Sequence, residues 1–507
     1  MQDRAKQIFG NEIKPSAYKK AVKSKNKYAK KFGDDSNANY PVHIEENPYI
    51  GKTLGVQNVL VGDLKTNAHF DPARHPDGKM PDPVWDTEKG VIIGNIRMGF
   101  GHYRMSMAMA SAAHHMGYTP YWMDLNSYGE TTCTKIIGAQ NDLYSLGSRL
   151  SKNPIFNKLI WEPTNYEGFR ALSYNASDQK NAELMAPVYK NVPKDIPVVS
   201  THAWTAQAAL HADMKHVVSA VCDNWPMALH FAEGSVHTIQ CLNAYMGYRI
   251  LNGMGDGTIA GKAAPCKPMP KEALIYTGHY IDHELVANLD EDCRRRVERR
   301  QNKKPMRFLL TIGGAGAQKE IFAEIIKYLI PMIKNGKAAL YVNVGDYKNV
   351  WDELISEIPG MKELSTEHFD DFEATTKFAD EAIDGEVTGI HGFWHKNIFE
   401  AVYATNILMR SADVLVTKPS ELAFYPIPKL FIRRVGKHEM WGAIHSAEIG
   451  DGSLECRDIP HVLQMIDMFT GTDLLDEMCN NIKVNNSIGL YNGAYKVIEI
   501  AMGLKNK

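Results

Sequence analysis

The sequence predicts an α/β protein with two doubly wound, Rossmann-like domains. Residues 91–102 (Val-Ile-Ile-Gly-Asn-Ile-Arg-Met-Gly-Phe-Gly-His) and 311–316 (Thr-Ile-Gly-Gly-Ala-Gly) are both short β-branched runs that end in glycines and precede a helical pattern. Strand and helix patterns then alternate after each segment. A helix N-terminus with glycines before it presents bare N–H groups and a positive dipole end, which suit phosphate. We therefore expect two domains that face one phosphate-bearing ligand across a cleft.

The first domain begins with a predicted strand at 91–96, a helix at 103–116 and a strand at 119–125. Its later elements are strands at 197–200 and 216–222 and a helix at 203–212, and residues 274–277 are expected to end the domain. The second domain is predicted to contain strands at 307–312, 338–344, 387–390, 414–417 and 429–432 and helices at 318–333, 396–410 and 439–448. Strands that alternate with helices indicate parallel sheets with right-handed crossovers.

The predicted division of the chain has four parts. They are an irregular N-terminal extension (1–88) rich in Lys, Asn, Asp and Pro, a first domain (89–288), a second domain (305–485), and a C-terminal helix (486–507) that packs back on the first domain. The charge-dense segment Asp290–Lys304 is interpreted as an exposed helix and linker between the domains.

Bulk properties exclude several classes of protein. A net charge of −2 over 507 residues argues against a generally basic nucleic-acid binder. The seven cysteines include no Cys-x-x-Cys pair, which argues against a disulfide scaffold or a structural zinc site and fits a reducing cytosol. The sequence shows no signal-like N-terminus and no apolar run near eighteen residues, so we expect a cytoplasmic protein without a membrane span. Its oligomeric state is not predicted.

A lysine run marks the N-terminal extension. Eight lysines lie between Lys14 and Lys31, interleaved with tyrosine, alanine and valine. Such a run is typical of a solvated helix or arm, and it is also compatible with a basic surface for anionic lipid, which would give peripheral contact with the inner membrane face.

Four passages, taken in order, resemble a known family. They are Gly99-Phe-Gly-His102, Leu310-Thr-Ile-Gly-Gly-Ala-Gly-Ala317, Gly392-Phe-Trp-His-Lys-Asn397 with Ser411-Ala-Asp-Val-Leu-Val-Thr-Lys418, and Ser420-Glu-Leu-Ala-Phe-Tyr-Pro-Ile-Pro-Lys-Leu-Phe431. Over about residues 89–455 the chain resembles the GT-B glycosyltransferases that include monogalactosyldiacylglycerol synthase and the peptidoglycan GlcNAc transferase that forms lipid II. The resemblance implies a GT-B fold. It also implies metal-independent inverting transfer from a nucleotide-sugar, a UDP-sugar above all, to a lipid or cell-envelope acceptor, with no further cofactor.

The candidate site residues follow from this resemblance and from the chemistry of sugar transfer. An acceptor hydroxyl must lose a proton while a nucleoside diphosphate leaves, so a histidine base and N–H donors are needed. We predict His102 as the base, with Asp223 to orient or replace it. The remaining candidates are Gly99, Gly101, Gly313, Gly314, Gly316 and Gln318 for phosphate, Glu421 for ribose, His438 and Glu439 for the donor sugar, and His202, Trp394 and Lys418 as cleft residues.

Each candidate also has a purely structural interpretation. A histidine can satisfy a local turn, a glycine can be required by a tight loop, and a tryptophan can belong to the core. Glutamates beside a serine or at a helix start can act as caps.

The segment Thr417-Lys-Pro-Ser-Glu421 departs from the family, which has two or more glycines there. Two alternatives therefore stay open: a nucleotide-sugar epimerase or hydrolase of the same fold, and a non-catalytic descendant that binds a nucleotide, a sugar or a protein. A dinucleotide oxidoreductase is less compatible, because Arg104 occupies the place of the third glycine. No Gly-Lys-Ser/Thr loop supports a P-loop nucleotidase, and no spaced ligand set supports a metal enzyme.

Overall fold

The computed structural model describes residues 3–150, 153–255, 258–259, 262–312 and 318–506. The chain divides into two compact units. Unit 1 comprises Met1–Met98, Met105–Tyr280 and Gly493–Lys507, and unit 2 comprises Gly99–Arg104 and Ile281–Asn492.

In chain order, the strands are β1 (Gln7–Ile8), β2 (Asn11–Glu12), β3 (Val42–Glu46), β4 (Gln57–Val61), β5 (Gly90–Asn95), β6 (Thr119–Asp124), β7 (Val198–Ser200), β8 (Val217–Ala220), β9 (Val236–Ile239), β10 (Thr258–Ile259), β11 (Lys262–Ala263), β12 (Leu274–Tyr276), β13 (Met306–Thr311), β14 (Ala338–Asn343), β15 (Ser365–Phe369), β16 (Gly389–Trp394), β17 (Val414–Thr417) and β18 (Lys429–Phe431).

The α-helices are α1 (Pro15–Phe32), α2 (Gly51–Leu54), α3 (Gly101–His115), α4 (Thr132–Leu150), α5 (Pro154–Phe156), α6 (Leu172–Ala182), α7 (Ala203–His211), α8 (Leu242–Arg249), α9 (His283–Ala287), α10 (Leu289–Gln301), α11 (Lys319–Lys334), α12 (Lys348–Glu357), α13 (Phe372–Asp384), α14 (Ile398–Ser411), α15 (Met440–Glu448), α16 (Ile459–Gly471), α17 (Leu474–Ser487) and α18 (Gly493–Lys505). Within the described ranges, no helix is long and apolar enough to span a bilayer.

Unit 1 contains an eight-stranded sheet, counted over the described residues, in the order β12-β9-β8-β7-β5-β6-β4-β3. All neighbouring pairs are parallel except β3 and β4. The chain leaves β5 toward β6 and later returns to β7 on the other side, which is the doubly wound pattern. Helix α18 belongs to this unit and contacts β7 and β8.

Unit 2 contains a parallel sheet in the order β15-β16-β14-β13-β17-β18, again over the described residues. The central strands β13 and β14 are buried along their whole length. This continuous burial is expected of strands covered by helices on both faces. The prediction of an α/β protein with two doubly wound domains is confirmed.

The expectation that residues 1–88 are irregular is wrong. Strands β3 and β4 extend the unit 1 sheet through an antiparallel pair, Val42↔Val61 to Glu46↔Gln57. Helix α1 covers the lysine run and packs against α6, with Ala21 buried. The two strands are short and lie among lysines, asparagines and prolines, so the composition of the region hid their apolar positions.

The helix predicted within Asp290–Lys304 is present as α10, but its full exposure is wrong. The helix packs against α17 and buries Arg296. The Arg296 guanidinium donates from Nε to the carbonyl of Ala412 and from Nη2 to that of Met409, both at 2.8 Å. A buried, hydrogen-bonded arginine can thus lie within a segment that composition alone assigns to the surface.

Candidate functional site

The carboxyl edge of the unit 2 sheet has a topological switch point. Strand β13 pairs with β14 on one side and with β17 on the other; the chain continues from β13 to β14 and from β17 to β18, which lie on opposite sides. Ligands of open α/β sheets bind in the crevice that such loops create. Both loops carry predicted site residues.

The loop after β13 holds the glycines predicted to bind phosphate. Gly313, Gly314 and Gly316 lie outside the described residues. Gln318 ends the loop in the left-handed conformation (φ +72°), directly before α11. Its side-chain amide donates to the carbonyl of Arg433, which ties this loop to the segment after β18.

The loop after β17 places Glu421 beside the start of α3. Glu421 begins a short 3₁₀ helix, Glu421–Phe424. A Cβ atom on Gly101 would lie 3.2 Å from the Glu421 Oε2 atom, so glycine permits the close approach of this carboxylate. Gly99, two residues earlier, has a φ of +73°, which favours glycine. The helix N-terminus predicted to receive phosphate is therefore faced by a carboxylate of the same unit.

Arg104 anchors Glu421 within a buried polar network. The Arg104 Nε atom lies 3.6 Å from Glu421 Oε1, and the arginine side chain is 2% exposed. Its Nη1 atom donates to the carbonyl of Val402 at 3.2 Å and to the side chain of Asn406. The Asn406 amide donates in turn to Asp282 Oδ2 at 3.0 Å. We call Arg104, Glu421, Asn406, Asp282 and Tyr425 the Arg104 network.

The far end of the Arg104 network contains a fully buried carboxyl, that of Asp282. Burial raises the pKa of Asp282 to about 6, although hydrogen bonds from Asn406 and Tyr425 and the charge of Arg104 act to lower it. The Tyr425 hydroxyl donates to Asp282 Oδ2 at 3.1 Å. The network thus fixes Arg104, and Arg104 limits where the Glu421 carboxylate can lie.

Lys418 and Glu439 form a second polar anchor at this edge. Their side chains form an ion pair, and Glu439 Oε2 accepts from the backbone amides of Val435 at 2.7 Å and Gly436 at 3.0 Å. Burial alone would raise the pKa of Glu439, but the charges of Lys418 and His438 and these hydrogen bonds bring it below its usual value. Glu439 therefore holds the loop before α15, while the half-buried His438 remains the more accessible of the two predicted donor-sugar residues.

The structure gives His102, Trp394 and His202 distinct surroundings. His102 is half-buried in the first turn of α3, within the part of that helix assigned to unit 2. Trp394 ends β16 and packs edge-on against Phe369, with ring centroids 6.0 Å apart. In unit 1, His202 caps α7, because its Nδ1 atom accepts from the amide of Trp204 at 3.1 Å. The cap and the packing provide structural roles for His202 and Trp394.

The predicted Asp223 belongs to a cluster in unit 1 that the sequence did not reveal. Its Oδ2 atom lies 2.9 Å from His230 Nε2, and the other ring nitrogen, Nδ1, lies 3.9 Å from Cys222 Sγ. We call Cys222, Asp223 and His230 the thiol cluster. Its three ligand atoms lie within 4.8 Å of one another, so this cluster could also hold a metal ion. The expected absence of a metal stays a prediction.

Sequence reasoning missed Arg104 and the pairing of Cys222 with His230. Arg104 was noted only because it replaces a glycine, and the sequence does not show that its charge is buried. Cys222, Asp223 and His230 lie within nine residues directly after a predicted strand, which is the local signal that could have grouped them.

Two family models match parts of the chain, and neither is described by a function. A family model described as a domain of unknown function (DUF6937) matches residues 7–250, and a second (DUF6938) matches residues 269–502. No curated protein matches the chain.

Solved structures show a distant similarity. UDP-GlcNAc 2-epimerase from Neisseria meningitidis, bound to UDP-GlcNAc, is 11% identical with a TM-score of 0.43, over 81% of this chain and 98% of that one. α,α-Trehalose 6-phosphate synthase from Burkholderia multivorans is 11% identical (TM-score 0.42; 82% and 98% covered). The S. aureus MnaA–UDP structure is 12% identical (TM-score 0.42; 79% and 97% covered). Similarity at this level concerns the fold alone. The function of this protein is therefore argued from its own side chains.

Proposed function

We propose that the protein is a nucleotide-sugar-dependent glycosyltransferase that binds the nucleotide at the carboxyl edge of the unit 2 sheet. The observation that carries this proposal is the position of Glu421. Its carboxylate lies at the switch point, after β17, and Arg104 is fixed beside it by buried partners. A carboxylate can accept hydrogen bonds from both hydroxyls of a ribose.

The same carboxylate distinguishes the two predicted phosphate sites. A phosphate at the start of α3 would lie beside Glu421 and be repelled, although the helix dipole favours an anion there. We therefore assign the diphosphate to residues 313–318 and the ribose to Glu421. In this arrangement a UDP-sugar is the favoured donor, and the half-buried His102 of the same unit is the base that receives the proton of the acceptor hydroxyl.

Binding is tested by thermal shift and calorimetry with UDP, GDP, ADP and CMP, each alone and as common sugar conjugates. One nucleotide at about a hundred times its Kd should stabilise the fold by about 2.7 kcal/mol. Glu421→Ala should weaken that nucleotide about 10- to 100-fold, because a charge-assisted hydrogen bond contributes about 1.5–3 kcal/mol. The matched control is Glu363→Ala, at an exposed position of the same unit.

The outcomes separate the competing functions. No stabilisation by any nucleotide, or equal affinity in the two glutamate variants, would contradict the proposal. Sugar release without an added acceptor would indicate the epimerase or hydrolase alternative, and binding without sugar release would indicate the non-catalytic one.

A lipid-linked acceptor is favoured by the surface of unit 1. Seven lysines on or beside α1 are exposed: Lys14, Lys19, Lys20, Lys23, Lys27, Lys30 and Lys31. Leu143, Leu146 and Leu150 recur at helical spacing on α4 and are 64%, 48% and 46% exposed. Ile155, Leu159 and Ile160 follow and are 54–70% exposed. We call these six residues the apolar ridge.

The lysine helix and the apolar ridge are connected through α4. The Gln140 amide donates to the Tyr28 hydroxyl, and the Thr132 hydroxyl donates to the carbonyl of Phe32 at 3.3 Å. Exposed apolar side chains next to a basic helix suit the interface of an anionic membrane. We therefore propose peripheral binding to the cytoplasmic membrane face, where a lipid acceptor would be available.

Co-sedimentation with vesicles tests the proposed membrane binding. Binding to phosphatidylcholine vesicles that contain phosphatidylglycerol should exceed binding to pure phosphatidylcholine. Lys27, Lys30 and Lys31→Gln together should weaken it, by roughly fivefold per lysine, since each contributes about 1 kcal/mol near an anionic surface. The control replaces Lys334, Lys337 and Lys362, which are exposed in unit 2. Equal losses in both triple variants would contradict the assignment.

A further inference from the structure

The thiol cluster combines three chemical groups that no element of the proposed sugar transfer uses together. Cys222 and Asp223 follow β8 after one intervening residue, at the carboxyl edge of the unit 1 sheet, and His230 ends the 3₁₀ helix Ala228–His230. The His230 side chain is 9% exposed and that of Asp223 is 28% exposed. Cys222 is half-buried, so solvent reaches its surroundings.

The two ring nitrogens of His230 face different partners. Nε2 lies 2.9 Å from Asp223 Oδ2, and Nδ1 lies 3.9 Å from Cys222 Sγ. When the carboxylate accepts the proton of Nε2–H, Nδ1 carries the lone pair that faces the thiol. A thiol, an imidazole and a carboxylate in this order form the arrangement that activates nucleophilic cysteines.

A hydrogen bond from a neighbouring side chain holds the backbone at Cys222. The Gln240 amide donates to the carbonyl of Cys222 at 3.1 Å. The Tyr248 hydroxyl donates to the carbonyl of Trp225 at 3.1 Å, and the Tyr280 hydroxyl lies 2.8 Å from that of Thr238; burial raises the pKa of both tyrosines, so they are neutral at physiological pH. Within the cluster, the Cys222 thiol faces the Nδ1 atom of His230.

We propose that Cys222 is an activated nucleophile for acyl esters or thioesters. His230 takes the proton from Sγ, and the sulfur attacks the acyl carbon. The S–C bond forms as the C–O or C–S bond breaks, and His230 gives the proton to the leaving alcohol or thiol. Water then hydrolyses the acyl-cysteine, with His230 again accepting and returning one proton. Asp223 stabilises the imidazolium in both steps.

The geometry favours this assignment over a metal site. Zinc would need one nitrogen of His230 together with the sulfur and a carboxylate oxygen around one point. Here the carboxylate and the thiol are instead placed at opposite ring nitrogens.

Alkylation kinetics provide the first test, and the chain contains its own control. Among the cysteines, which all lie in described segments, only Cys222 and Cys266 are half-buried, and the other five are buried. With iodoacetamide and peptide mass spectrometry at pH 7, Cys222 should react at least about tenfold faster than Cys266. From pH 8.5 to 6.5 the rate at Cys266 should fall about fiftyfold, as for an ordinary thiol, and that at Cys222 less than about fivefold.

Variants and an acyl probe complete the test. His230→Gln should reduce the rate at Cys222 to that at Cys266, and Asp223→Asn should reduce it by a smaller factor; circular dichroism checks that each variant is folded. With p-nitrophenyl acetate, wild type should release a burst of about one equivalent of p-nitrophenol that Cys222→Ser lacks. These assays need no nucleotide-sugar, so their outcome is independent of the proposed function.

Three results would overturn the proposal. They are equal rates at Cys222 and Cys266, a burst that is absent from wild type or persists in Cys222→Ser, and micromolar zinc that blocks alkylation of Cys222 in wild type but not in His230→Gln or Asp223→Asn. The last would assign the cluster to a metal.

Discussion

The two units differ in the cations that they place beside carboxylates near their sheets. In unit 2 the short pairs use lysine or arginine (Lys418–Glu439, Lys429–Asp451 and Arg299–Asp413), and the histidine pair His395–Glu400 is longer, at 3.9 Å. In unit 1 they include histidines: His69–Asp124, His75–Glu45 and His230–Asp223. Lysine and arginine keep their charge at neutral pH, whereas a histidine can gain or lose a proton there. Unit 2 is thus suited to fixed electrostatic binding, and unit 1 offers groups that can move protons.

The prediction with the largest expected effect concerns His102. It tests the comparison directly, because it assigns a proton-transfer group to unit 2. His102→Ala should lower sugar transfer about 10²- to 10⁴-fold, the usual contribution of a general base, and leave nucleotide affinity nearly unchanged. Steady-state transfer and calorimetry measure the two effects separately. His461→Ala, at an exposed position of unit 2, is the control. Unchanged turnover in His102→Ala would remove this histidine from the mechanism.

A second prediction tests whether the fixed charges of unit 2 are structural. Lys429 and Asp451 are both fully buried, 2.8 Å apart, and Lys429 also donates to the carbonyl of Tyr425 at 2.7 Å. Lys429→Met leaves the Asp451 charge without its partner, so it should lower the free energy of unfolding by about 3–5 kcal/mol.

Thermal or denaturant unfolding measures that loss. Lys348→Met removes an exposed ion pair with Asp352 and should cost no more than about 0.5 kcal/mol. Adding Asp451→Asn to Lys429→Met should recover part of the stability. Equal losses of stability in Lys429→Met and Lys348→Met would contradict the structural role assigned to the buried ion pair.

A third prediction concerns acid. Burial lowers the pKa of His391, His395 and His445 in unit 2 to about 4, so the folded unit holds them neutral. Since these values lie below the value of about 6.5 for an unfolded chain, the stability that they contribute is present above pH 6.5 and is lost as the pH falls toward 4. Each histidine should lower the free energy of unfolding of unit 2 by on the order of 1 kcal/mol as the pH falls through this range.

Both units also have opposing contributions. In unit 2, burial raises the pKa of Glu400 to about 7 and that of Asp282 to about 6, but the three histidines outnumber these two carboxyls. In unit 1 one histidine and one carboxyl have the large shifts. Burial lowers the pKa of His237 to about 4 and raises that of Asp178 to about 8. The buried Asp178 therefore stabilises unit 1 at low pH and loses this contribution as the pH rises from 3.8 to 8. Hydrogen exchange at pH 7 and pH 5 should show protection lost first in unit 2. Loss of protection in unit 1 before unit 2 would contradict this prediction.

The sequence was sufficient for most of the strand–helix alternation, because buried parallel strands are dense in β-branched residues. Val414–Thr417 matches β17 residue for residue. Strand β15, Ser-Thr-Glu-His-Phe, was not predicted, because it is a half-exposed edge strand with little apolar pattern. Strands β3 and β4 were missed for the compositional reason given above.

The candidate site was less predictable than the fold. The sequence motif places Glu421 after a strand. It does not show that the Glu421 carboxylate contacts Gly101 and Arg104, because these residues lie more than three hundred positions away in the sequence. Burial of an arginine depends on carbonyls such as that of Val402, which composition and spacing do not report. The roles of His102, Asp223 and Glu421 stay predictions until the experiments above are done.

The return of α18 to unit 1 determines how the protein can be divided. A gene cut between Tyr280 and Ile281 would separate β7 and β8 from the helix that covers them, and would leave Gly99–Arg104 with the wrong half. The cut would expose the strand face and also Val497, Ile498 and Ala501 of α18, which are buried in the intact chain. Such exposed apolar surface favours aggregation. Separate expression of either unit therefore requires redesigned connections. Unit 1 needs linkers from residue 98 to 105 and from 280 to 493, and unit 2 needs one from 104 to 281.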